Sequence, residues 1–86
     1  MSGIDYSRLR SLTAGTIVAA LLRDGFTLSR QRGSHHRYNH PDGRRVTVDY
    51  SKRGDTFTFK NLKSMLERQA RWTAADLDRL GLSRSS

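Results

Sequence analysis

From residue 12 onward the apolar positions change period repeatedly, and each change marks an element. Residues 1–11 show no clear period and are expected to form an extended or frayed lead-in. Ile17, Val18, Leu21 and Leu22 then recur at i, i+1, i+4 and i+5, which is one apolar stripe of a helix. Thr13 stands before it as a cap for the free amides of the first turn. Leu12 and Ile17 have the spacing of a hydrophobic staple, and Asp24-Gly25 closes the helix. From Phe26 to Arg30 the pattern alternates, as in a strand with one buried face, until Arg32-Gly33-Ser34 interrupts it. A second strand begins at His35. His40-Pro41-Asp42-Gly43 then predicts a hairpin, because Pro presets the first turn dihedral and Gly accepts positive φ. Val46, Val48 and Tyr50 alternate along the third strand. After a polar loop, Thr58 is the expected cap of a helix carrying Phe59, Leu62, Met65, Leu66 and Ala70. A short last helix follows, with Thr73 and Asp76 at capping-box spacing, Trp72 and Leu77 at staple spacing, and Gly81 as its stop.

This order predicts an α+β fold, a three-stranded antiparallel sheet with helices on one face (α-β-β-β-α plus a short C-terminal helix) and the other face open to water. One domain, 1–86, is expected, with 1–11 as lead-in, 12–70 as core and 71–86 as a C-terminal extension. A chain of this size buries only ~60–65% of the surface its unfolded form exposes, which argues against a deep enclosed cavity and puts any chemistry on an open surface. No apolar run has the length of a membrane span, and the first ten residues lack the apolar core of a secretory signal, so a soluble, cytoplasmic protein is expected. The absence of Cys excludes disulfides and thiolate zinc sites.

Strand parity assigns the faces. Phe26 and Leu28 should face the helices, leaving Thr27, Ser29 and Gln31 outward. Tyr38 is the only large apolar residue of the second strand, so it points inward with His36 and His40, and His35, Arg37 and Asn39 point outward. Val46, Val48 and Tyr50 point inward; Arg45, Thr47 and Asp49 point outward. One surface thus gathers His35, Arg37, Arg45, Thr47 and Gln31.

Charge sharpens that picture. The chain carries 16 Lys+Arg against 8 Asp+Glu, for +8, and seven of the cations lie between Arg30 and Arg53 against only Asp42 and Asp49. Thirteen of the cations are Arg, whose planar fork suits phosphates, so a polyanionic partner is expected. An imidazole ringed by guanidinium groups and hydroxyls suits phosphodiester chemistry. Plainer roles stand beside these: His36 as a core-side histidine, His40 as part of the turn, Arg44 and Arg45 as solvated strand charges, Trp72 as a packing anchor. His35 and His36 point to opposite faces of a strand, so no metal site is expected.

The residues from Leu12-Thr13 to Asp24-Gly25-Phe26, the run from Arg30 through Gly33-Ser34-His35-His36 to Tyr38, the run from His40-Pro41-Asp42-Gly43 to Val48, and Leu62-Lys63-Ser64-Met65-Leu66 together resemble the HicA (YcfA-like) toxin family over roughly residues 12–70. That resemblance implies a double-stranded-RNA-binding-domain-like fold, ribosome-independent mRNA cleavage without a cofactor, and neutralisation by a HicB-like antitoxin. It places the family's catalytic histidine, which belongs to the Gly-Ser-His element, on His35. Around that base, Gly33 and Ser34 form the turn, Arg37 and Arg45 are candidates to stabilise charge on the phosphorane, and Arg30, Arg32, Lys52 and Arg53 to hold the RNA by its phosphates. No acid for the leaving oxygen is assigned. The chain departs from the family after the third strand, where residues 49–53 and Phe59-Lys60 replace a basic or His-containing segment and a Pro-Gly. Two alternatives share the basic face: a non-catalytic RNA-binding module, and a small protein-interaction domain that docks an acidic partner.

Overall fold

The computed structural model describes Ile4, Tyr6, Leu9 and residues 11–82; the rest of the expected lead-in and residues 83–86 lie outside the described residues. The elements are α1 (Ala14–Arg23), β1 (Thr27–Arg32), β2 (His35–Asn39), β3 (Arg45–Asp49), α2 (Phe59–Lys63) running on into a π-helical segment (Ser64–Gln69), and α3 (Ala74–Arg79). The strands form one antiparallel sheet in the order β1-β2-β3, which makes the fold α+β with helices on one face, as the residue pattern predicts.

Each helix starts where a hydroxyl meets its free amides. Thr13 Oγ1 accepts the Thr16 N–H, Thr58 Oγ1 accepts the Asn61 N–H, and Thr73 and Asp76 form both bonds of a capping box. The loop after β3 completes the start of α1, since Ala14 N–H donates to the Asp55 carbonyl at 2.8 Å and Gly15 N–H to that of Arg53 at 2.9 Å. One core joins Ile17 and Leu21 of α1, Phe26, Tyr38, Val46, Val48, Leu62 and Leu66. Trp72, Leu77, Leu80 and Leu82 pack into the same cluster. Trp72 meets Phe26 edge-on and is the anchor its apolar bulk suggests.

The π-helical segment is not visible in the sequence period. Its widened turn is seen in the Ala70 N–H, which reaches back five residues to the Met65 carbonyl. Gln69 is thereby set against the outer edge of β3, where its Oε1 accepts the Thr47 N–H at 2.8 Å and its Nε2 donates to Ser64 Oγ at 3.0 Å. An edge-strand donor that would otherwise face water is closed off by the protein itself.

β1 departs from the expected parity. Leu28 does lie opposite Tyr38, but every residue of β1 is exposed, so the helical layer covers β2 and β3 only and Leu28 remains 49% accessible. Between Leu28 and Arg30 the register shifts, and one extra residue in a bulge reverses which side chain faces which way. Gln31 therefore stands opposite His36, not on the open face. Arg30 stands opposite Arg37 and Arg32 opposite His35.

Candidate active site

The site begins with a two-residue connection. Gly33 has φ 58° and Ser34 a negative φ, the arrangement of a type II′ hairpin turn, which needs glycine at its first central position. The Ser34 carbonyl accepts the Tyr50 N–H at 2.9 Å and lies 2.9 Å from His36 Nδ1, so the His36 ring carries its proton on Nδ1. His36 is buried and its ring stacks on Tyr50 with centroids 4.1 Å apart. It is a structural histidine. Tyr50 in turn engages the Tyr38 hydroxyl; burial first and that hydrogen bond second push the Tyr38 phenol up to about 12.

His40 is equally occupied. Its Nε2 lies 2.8 Å from the Asp24 carbonyl, and its Nδ1 lies 3.1 Å from the Asp42 backbone nitrogen and 3.0 Å from the Asp42 carboxylate, so both ring nitrogens are engaged. Gly25, at φ 102°, leaves room for this contact: a Cβ there would stand 3.0 Å from His40 Nε2. The three imidazoles thus point in three directions, one outward, one into the core and one at the end of α1.

Arg44 corrects an expectation. It is not a solvated charge: its guanidinium donates to the Ala70 carbonyl at 2.7 Å, reaches Asp24 at 3.2 Å and Asp42 at 2.8 Å, and lies over the Phe26 ring. Strand parity puts it on the same side as Val46, and the carboxylates at Asp24 and Asp42 make that burial possible. Asp24 also accepts from Trp72 Nε1 at 2.8 Å and from Arg79 at 2.9 Å. Burial pushes the Asp24 carboxyl up, but the hydrogen bonds from Trp72 and Arg79 and the charges of Arg44 and Arg79 outweigh it, leaving it below the usual carboxylate range.

His35 is the remaining imidazole, and it is exposed. It lines a shallow depression of about 200 Å³ with Arg30, Arg32, Arg37 and Thr47. Arg30 and Arg32 are there because of the bulge in β1; without it they would face the helix side. Among the described residues none of these three arginines has a carboxylate partner. Arg30 and Arg37 sit directly opposite one another across the strands, a like-charge pair that costs the fold stability. A phosphate placed between them would remove that repulsion.

Of the other candidates, Arg45 shares the open face but pairs with Asn39, two rows along from the His35 pair, roughly 13 Å at strand spacing. Arg53 lies on another side, where it lines a larger groove of about 560 Å³ beside Thr13, Gly15 and Arg23. That groove contains no imidazole or carboxylate, so its size carries no acid–base chemistry. Lys52 is exposed in the same loop, with its backbone N–H bound to Asp55. The structure therefore gathers Arg30, Arg32, Arg37 and Thr47 around His35 and the Gly33-Ser34 turn, and does not bring Arg45, Lys52 or Arg53 into that depression. It adds one residue: Asp49, whose Oδ2 lies 3.6 Å from His35 Nε2.

The domain is thus a compact, basic α+β protein, a small antiparallel sheet backed by helices, with one imidazole in an arginine-lined depression on its open face. A family model described as "HicA toxin of bacterial toxin-antitoxin" matches residues 15–72, about two thirds of the chain, and the chain belongs to that HicA toxin family. No curated protein matches it. The matched span runs from the first turn of α1 to Trp72 and contains the whole sheet and the His35 depression. No helix among the described residues is long and apolar enough to cross a membrane.

Proposed function

We propose that this HicA-family toxin acts as a metal-independent mRNA endoribonuclease on a double-stranded-RNA-binding-domain-like scaffold, with His35 as its general base, and that a HicB-like antitoxin neutralises it in the cytoplasm. The observation that carries the reading is the exposed His35 imidazole in a depression walled by Arg30, Arg32 and Arg37, none of which has a carboxylate partner among the described residues. His35 takes the proton of a ribose 2′-hydroxyl, and O2′ attacks the adjacent phosphorus. The bond from phosphorus to O5′ breaks, and the leaving oxygen takes a proton from the water that reaches this open face. The products are a 2′,3′-cyclic phosphate and a 5′-hydroxyl. Negative charge on the pentacoordinate phosphorus develops beside Arg37, with Arg30 and Arg32 close enough to hold the flanking phosphates. Arg45, Lys52 and Arg53 contribute to RNA affinity at longer range.

The acidic partner fits the same face, since covering the depression hides the base and neutralises its cations together. The test is incubation of labelled mRNA with the wild-type protein and with His35→Ala, in the presence of a chelator. The wild type is expected to cut and leave cyclic-phosphate ends, the variant to bind without cutting, and the antitoxin to stop both activities. RNA binding without any cleavage by the wild type would favour the non-catalytic module. Full cleavage by a folded His35→Ala protein would remove His35 from the mechanism.

A further inference from the structure

We infer that Asp49 is a positioning residue for His35, an assignment that rests on the ribonuclease reading above and adds a partner to its base. The two residues face each other across β2 and β3. The backbone bonds of this hairpin fall on the alternate residues, from Tyr50 N–H to the Ser34 carbonyl and from His40 N–H to the Arg44 carbonyl. His35 and Asp49 are thus a pair without backbone hydrogen bonds of its own, the kind in which opposing side chains come closest. The separation of 3.6 Å from Nε2 to Oδ2 is an ion-pair distance, too long for a hydrogen bond.

The surroundings make this contact selective. Of the other described carboxylates, Asp24, Asp42, Asp55, Glu67 and Asp76 are engaged elsewhere by arginines, backbone amides, hydroxyls or an indole, and Asp78 stands on α3. Asp49 stands on the same face as several arginines that have no carboxylate partner among the described residues, yet the side-chain contact it makes is with the imidazole. A carboxylate on a surface built to receive phosphate opposes binding, and its place there is explained by the ring it faces. It favours the tautomer whose proton sits on Nε2, so that the Nδ1 lone pair is the one free to take the 2′-hydroxyl proton. It also stands where positive charge appears once the ring has accepted that proton.

The experiment combines kinetics with ¹⁵N spectra of the His35 ring in wild type, Asp49→Ala, Asp49→Glu and the His35→Ala/Asp49→Ala double variant, with melting curves to confirm that each is folded. In the wild type the neutral ring should carry its proton on Nε2. Asp49→Ala should mix the two tautomers and lower kcat about ten-fold, a part of what a general base supplies. KM for RNA should not rise, because a negative charge has been removed from the binding face. Asp49→Glu should recover part of kcat, and Asp49→Ala should have no further effect where His35 is already absent. If Asp49→Ala left both tautomer and kcat unchanged while His35→Ala was inactive, the inference would fail and the ribonuclease reading would stand. If folded His35→Ala were active, the reading itself would fail, and this inference with it.

Discussion

β2 and its turn carry the same three residue types at both ends, with opposite outcomes. At one end His40, Arg44, Asp24 and Asp42 are closed on one another: every ring nitrogen of His40 has a partner, and Arg44 is held by two carboxylates and a carbonyl. At the other end His35, Arg30, Arg32 and Arg37 lie in the open with a single carboxylate, Asp49, among them. Composition cannot tell these clusters apart. What separates them is whether the donors are used up inside the fold, because a guanidinium with no internal acceptor is available to an anion and one with three is a strut. The first cluster ties the end of α1, the hairpin turn and the residues around Ala70 and Trp72 together.

The contrast breaks most cleanly at one residue of each cluster, His35 on the open side and Asp24 on the closed side. His35→Ala should lower RNA cleavage by about 10²-fold or more, the scale of a lost general base, with the melting temperature essentially unchanged. A gel assay and a melting curve on the same preparation check both halves. On the closed side the cost should appear in stability instead. Asp24→Asn leaves Arg44, Arg79 and the Trp72 indole short of a charged acceptor and should cost about 2–3 kcal/mol by chemical denaturation, with cleavage retained in the folded fraction.

Asp24 also gives the closed cluster a pH signature. Its carboxyl lies lower in the folded chain than the ordinary value of about 3.9, so its contribution to stability is fully present above that value. It is lost as pH falls through the folded value. Acid unfolding followed in wild type and Asp24→Asn should show a steeper decline below about pH 4 in the wild type, the two curves converging at the acid end. Parallel curves would mean that the network does not depend on this charge.

Next in size is His36→Ala. It removes the bond to the Ser34 carbonyl and the stack on Tyr50, and should cost about 1–2 kcal/mol while sparing catalysis in whatever fraction folds. Loss of cleavage in a fully stable His36→Ala protein would mean that the sheet presents its other face to RNA.

Much of this arrangement is legible in the residues. Tyr38 as the one large apolar side chain of β2 is enough to turn His36 inward and His35 outward, and the His-Pro-Asp-Gly turn sets the hairpin. The same turn implies Asp49 as well: once His40 pairs with Arg44, counting back along both strands puts His35 opposite residue 49. Parity also places Arg44 on the core side with Val46, a position its charge argues against until Asp24 is seen to meet it; that meeting is tertiary and has no local signal. The bulge in β1 is illegible for another reason. The alternation that starts at Phe26 has its last apolar member at Leu28, so no apolar side chain after it marks the extra residue, and Arg30 and Arg32 cannot be assigned to the open face from sequence. The π-helical turn is hidden likewise, since Leu62, Met65 and Leu66 keep a helical spacing through it.

The smallest expected effect tests the open cluster at its most unfavourable contact. Arg30 and Arg37 are directly opposed across β1 and β2, with no carboxylate between them among the described residues. Such a pair works against the sheet, so replacing one member by a neutral residue of similar length should relieve the fold. Arg30→Gln is therefore expected to raise the melting temperature by about 1–3 °C in the free protein. The same change removes a phosphate contact, so RNA affinity should fall across all sequences, and the slope of log affinity against log salt should flatten by about 0.7 for a single-stranded ligand. The two shifts have opposite signs, which a merely solvated arginine would not produce: it would move neither. Melting curves repeated with a saturating non-cleavable RNA sharpen the point. The ligand neutralises the repulsion in the wild type, so the stability advantage of Arg30→Gln should vanish or invert when RNA is bound. An advantage that persisted undiminished in the complex would show that the RNA phosphates do not lie between Arg30 and Arg37.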